Sequence, residues 1–116
     1  MSKPTEFGQY VRRQREAKPD FSLRRMAGRV GIEPSYLSKI ERGEQPPPGE
    51  ETIRRLAKEL GEDADVLLAL AGKVSTDLLD VIRERPALIA ELLRAVRRAP
   101  AKRISKVVKN VRDGDW

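Results

Sequence analysis

From Thr5 to Ala71 apolar residues recur three or four positions apart in short runs, each closed by glycine or proline, and nowhere do they alternate as in a strand. The spacing predicts a helix from about Thr5 to Lys18 with Phe7, Tyr10, Val11 and Gln14 on its inner face, stopped by Pro19-Asp20. Ser22 can cap a second helix carrying Leu23, Met26, Ala27 and Val30 on one side. Gly31 ends that helix, because glycine accepts the left-handed backbone such a turn requires. Glu33-Pro34 then starts a third helix with proline in its first turn, Leu37 and Ile40 continuing the apolar face as far as Gly43. The loop Glu44 to Gly49 contains three consecutive prolines and cannot be helical. A fourth helix, about Glu50 to Leu60, buries Ile53, Leu56, Ala57 and Leu60 and is capped by Gly61. A fifth, about Asp63 to Ala71, turns Val66, Leu67 and Leu70 inward.

Three further helical stretches follow Gly72. Ser75 or Thr76 caps one reaching about Arg85 with Leu78, Leu79, Val81 and Ile82, and Pro86 opens another reaching about Arg98 with Leu88, Ile89, Leu92, Leu93 and Val96. Ala99-Pro100 interrupts the chain. The last helix, about Ala101 to Arg112, places Ile104, Val107, Val108 and Val111 on one stripe and Lys102, Arg103, Lys106, Lys109 and Arg112 elsewhere. The expectation is an all-α protein with a five-helix domain over residues 1–72 and a short helical extension over 73–116.

Charge sharpens this division. The 116 residues carry a net charge of +6, distributed unevenly: ten cations face six anions over residues 1–45, three face six over 46–72, and eleven face six over 73–116. Basic segments flank an acidic one, and a basic face attracts a phosphate backbone by releasing its counterions. The chain has no cysteine and no histidine. That excludes disulfides, thiolate or imidazole metal sites and nucleophile systems built on Cys/His or Ser/His/Asp. No cofactor, metal or catalytic residue is expected, and only carboxylates remain for acid-base work. No run of about 18 apolar residues and no signal-type start is present, so no membrane association is expected and the compartment is read as the cytoplasm.

Two short helices joined by a glycine turn, with cations at both ends, suit a duplex. A duplex offers phosphates along both rims of its major groove and donor or acceptor edges on its floor. Arg24 and Arg25 open the second helix, where free N–H groups and the helix dipole also favour an anion. Arg42 stands at the far end of the third helix, so the two ends can clamp one strand. The outer side of the third helix presents Ser35, Ser38 and Lys39.

The order of these residues resembles the Cro/CI-type (lambda-repressor-like, XRE) helix-turn-helix family. The likeness is carried by Met26-Ala27, Val30-Gly31-Ile32, Ser35-Tyr36-Leu37-Ser38-Lys39-Ile40, Glu41-Arg42-Gly43 and Leu56-Ala57-Lys58-Glu59-Leu60-Gly61, and covers about residues 6–71. It implies a five-helix domain whose third helix enters the DNA major groove. By resemblance, base reading falls on Pro34, Ser35 and Lys39, with Tyr36 and Ser38 nearby. Ser22, Arg24, Arg25, Tyr36, Ser38 and Arg42 are the expected phosphate contacts, although the ring of Tyr36 is expected chiefly to pack on the second helix. Proline at 34 offers only van der Waals contact, which leaves Lys39 as the main candidate for direct readout, donating to guanine O6 and N7. The resemblance also implies a structural ion pair between Arg15 and Glu41. Glu50 and Glu51 stand where some family members place cations facing DNA, and here would repel phosphate.

The extension admits two readings. Its apolar stripe, Ile104, Val107, Val108 and Val111, suits dimerisation, which would let two recognition helices meet successive major grooves about 34–36 Å apart. Its lysines and arginines suit a basic arm lying on nucleic acid. Four aliphatic residues at helical spacing argue for packing over an electrostatic arm. Trp116 is a frayed end or an anchor in a partner's groove. The sequence thus points to a homodimeric, sequence-specific DNA-binding transcriptional repressor acting on a pseudo-palindromic operator. The alternative is an antitoxin or adaptor whose C-terminal helices hold a partner protein, with DNA binding for autoregulation. An enzyme is the least supported class.

Overall fold

The computed structural model describes residues 4–114, which form eight helices and no strand: α1 (Pro4–Glu16), α2 (Leu23–Val30), α3 (Pro34–Glu41), α4 (Glu50–Leu60), α5 (Ala64–Leu70), α6 (Thr76–Glu84), α7 (Pro86–Val96) and α8 (Ala101–Asp113). Trp116 lies outside the described residues. The helix boundaries follow local chemistry. The Ser22 hydroxyl accepts a hydrogen bond from the Arg25 amide at 3.1 Å, satisfying one of the donors a helix start leaves free. At the other end of α2, Gly31 has a φ of +84°, and the amides of Gly31 and Ile32 both return to the Ala27 carbonyl at 2.8 and 3.0 Å. The turn between α2 and α3 is closed by those bonds.

The chain divides into two compact units, Met1–Ser75 and Thr76–Trp116. In the first, α1 packs on α3 and α5, α2 on α3 and α4, and α4 on α5. They enclose one core of Phe7 and Val11 from α1, Met26, Ala27 and Val30 from α2, Leu37 and Ile40 from α3, Ile53, Leu56, Ala57 and Leu60 from α4, and Leu67 and Leu68 from α5. Each of the larger side chains contributes roughly 1.5–3 kcal/mol by leaving water. Helix α5 differs from expectation: Leu68 is fully buried and Val66 is 47% exposed. Ala64, Leu67, Leu68 and Ala71 form the inward stripe at i, i+3, i+4 and i+7, and Val66 falls outside it.

The second unit is built differently. None of α6, α7 and α8 contains a buried residue. Helix α6 packs on α7, while α7 and α8 border an open apolar cleft of about 510 Å³ lined by Leu92, Leu93, Val96, Ile104, Val107, Val108 and Val111. No helix among the described residues is long and apolar enough to cross a membrane.

Candidate nucleic-acid interface

The two helices around Gly31 are held by three further helices, and the contacts that hold them use most of the nearby charge. Arg15 is buried, and its guanidinium grips Glu41 at the end of α3 with two parallel bonds, Nε to Oε2 at 2.8 Å and Nη2 to Oε1 at 2.9 Å. A third bond runs from Nη1 to the Phe21 carbonyl at 3.1 Å, on the segment entering α2. One side chain of α1 therefore fixes both the end of α3 and the start of α2. The bond to Glu41 holds the guanidinium firmly charged, raising its pKa against the opposing effect of burial.

Close backbone approach completes the α1–α3 contact. Gly8 is buried facing the end of α3. A Cβ there would lie 2.8 Å from the Glu41 carbonyl oxygen and nearer still to that of Ile40. Tyr10, two residues further along α1, donates its hydroxyl to the Glu62 carboxylate. That bond, which needs the phenol protonated, is the largest cause of a pKa above the usual tyrosine value, aided by burial. Arg29 lies 3.4 Å from Glu59 and over the ring of Phe21, and Arg55 reaches the Val30 carbonyl at 3.4 Å. These contacts tie α2 to α4.

The cations of the helix pair fall into two sets. Arg24, Arg25 and Lys39 are exposed and make no ion pair among the described residues. Arg42 is occupied: its guanidinium meets Glu44 at 2.8 Å and its Nε donates to the Ser38 carbonyl at 3.3 Å. Arg54 and Arg55 likewise carry Glu50 and Glu51, at 3.0 and 2.8 Å. The free cations thus lie at the start of α2 and on the outer side of α3, while Arg29 at the end of α2, Arg42 at the exit of α3, and Arg54 and Arg55 on α4 are paired. Helix α3 follows Glu33, whose side chain makes no capping hydrogen bond.

A family model described as a helix-turn-helix domain matches residues 6–70. The chain belongs to the helix-turn-helix domain family. Two uncharacterized HTH-type transcriptional regulators from two strains of Mycobacterium tuberculosis are each 34% identical over 77 residues, 66% of this chain and 54% of theirs. The chain spans about half the length of these curated relatives. Among solved structures, a SinR protein/SinI protein complex matches 91% of this helix-turn-helix chain and 94% of its own chain with a TM-score of 0.52, at 20% identity, a likeness of fold. With eight helices and no strand among the described residues, the fold is all-α and of the Cro/CI type.

Within the helix-turn-helix domain the sequence-predicted positions separate. Ser35 and Lys39 are exposed on α3, and Pro34 is half-buried at its first turn. Ser22, Arg24 and Arg25 are exposed at the start of α2, Ser38 is half-buried, and Arg42 is exposed. Tyr36 is half-buried and packs against the core. Ile104 and Val107 are half-buried and Val108 and Val111 are exposed, at 54% and 65%. The sequence reading omitted Gly8, Glu44 and Glu62. Gly8 looks like an ordinary helix interior position, and its only signal is an otherwise costly glycine amid helix formers.

Proposed function

We propose that this helix-turn-helix chain is a sequence-specific, DNA-binding transcriptional regulator that inserts α3 into the major groove, binds a pseudo-palindromic operator as a homodimer and represses by occluding polymerase. The observation that carries the reading is the set of free cations, Arg24, Arg25 and Lys39, exposed around an uncapped recognition helix whose base is locked by Arg15 and Glu41. In this reading Lys39 reads a base edge beside Ser35 and Pro34, while Ser22, Arg24, Arg25, Tyr36, Ser38 and Arg42 meet phosphates. The names of the relatives and the geometry support the same class.

Dimerisation is assigned to the extension. Exposed apolar surface at Leu92, Leu93, Val108 and Val111 extends the stripe of α8 onto α7, and a second copy would cover it. The structure of like fold is a SinR protein/SinI protein complex, which is compatible with a protein partner at such helices without favouring one over a second copy. A regulator of this kind acts in the cytoplasm and needs no catalytic residue.

Paired substitutions test the interface. Lys39→Ala should relax preference at one base pair, with roughly 1–3 kcal/mol of discrimination lost there, whereas Arg24→Ala should weaken all duplexes alike and lower the salt slope by about one. Both are read by titrating a set of singly substituted duplexes at several salt concentrations. A uniform loss for both variants would remove Lys39 from base reading.

A further inference from the structure

Arg42 is the cation nearest the exit of the recognition helix, and it is held by a carboxylate fixed in place by the backbone. Gly43 takes a φ of +76°, which turns the chain so that the Glu44 amide donates to the Lys39 carbonyl at 2.8 Å. That bond closes the C-terminal turn of α3 and fixes the position of Glu44 on it. The Glu44 carboxylate then meets the Arg42 guanidinium at 2.8 Å, both side chains being about half exposed, and the guanidinium turns back to the Ser38 carbonyl. A carboxylate and a phosphate oxygen present the same acceptor to a guanidinium. Arg24 and Arg25, at the other end of the helix pair, have no such carboxylate among the described residues.

We infer that Glu44 is an affinity-tempering residue: its carboxylate competes with a DNA phosphate for Arg42, so a duplex gains that contact only by displacing Glu44. On a poorly matched sequence the domain is held by the cations of α2 and by Lys39, and Arg42 keeps its internal partner. On the operator, base contacts hold α3 deep in the groove and bring a phosphate close enough to displace Glu44. The net gain from the exchange is small in either case, because an exposed ion pair is weak. Its consequence is a lower affinity for any duplex that uses Arg42, the operator most of all. The inference rests on the DNA-binding reading above and adds a residue to it.

The test uses the full chain, a random-sequence duplex and an operator duplex obtained by selection. Glu44→Gln should tighten binding to the operator duplex by about two- to fivefold, the worth of one exposed ion pair no longer broken on binding. Random-duplex affinity should rise by no more than this, so the specificity ratio does not fall. In an Arg42→Gln background the same change should yield no gain. An unchanged operator affinity, or a gain that persists without Arg42, overturns the inference, the second outcome assigning Glu44 to general repulsion. Thermal melting of each variant shows whether α3 keeps its closing turn. A wild-type chain with no salt-sensitive duplex binding overturns the DNA-binding reading itself, and the inference with it.

Discussion

At the scale of single residues, charge in this domain does two kinds of work, and burial separates them. Arg15 and Glu41 are nearly inaccessible and pair in bidentate fashion, so neither is available to a ligand. Arg24, Arg25 and Lys39 are exposed and unpaired among the described residues. Removing one member of a buried pair leaves the other desolvated without compensation. Arg15→Ala is therefore expected to cost about 3–5 kcal/mol in urea unfolding, while a joint change of Arg15 to Met and Glu41 to Leu should cost much less. Equal losses for the single and joint variants would show that the pair's charge is not what the fold depends on. Both residues were readable in the sequence through the Glu41-Arg42-Gly43 motif, whereas the partner of Arg42 was not. Glu44 follows a positive-φ glycine whose turn, rather than any helical spacing, brings the carboxylate back to the guanidinium.

At the scale of helices, the apolar periodicity located all eight elements, because glycine and proline fix their ends. Periodicity is weaker in short helices. In α5 seven residues make barely two turns, so choosing the stripe through Val66 or the one through Leu68 depends on what α4 presents to it. The approach of α1 to α3 is likewise a property of two helices together. Gly8 lets their backbones meet, and no pattern within α1 reveals it. Gly8→Ala should destabilise the domain by about 1–3 kcal/mol, since the added methyl meets the Ile40 and Glu41 carbonyls and helix backbone does not yield as a side chain tip does. An exposed alanine replacement at Gly28, where nothing lies within 4 Å of a new Cβ, is the control and should be neutral or slightly stabilising. Comparable melting for both variants would mean that α1 can shift away from α3 without loss.

At the scale of the whole molecule, the two units contrast in how they satisfy their apolar residues. The first buries thirteen hydrophobic side chains in one core, and the second buries none in any of its helices. Sequence spacing identified the stripe of α8 but could not show that α7 shares the cleft, since that depends on how the Ala99-Pro100 turn folds one helix against the other. A lone recognition helix with proline and serine at its tip offers little hydrogen-bonded readout. In this account selectivity therefore comes from Lys39, from DNA shape and from two copies held at fixed spacing. The most direct measurement is selection of bound sequences from random duplex DNA by the full chain, run in parallel with a chain lacking residues 101–116. The full chain should enrich a pseudo-palindrome whose half-sites lie about one helical turn apart, and the shortened chain should enrich at most a weak single half-site. Failure of the full chain to enrich any sequence would contradict the account.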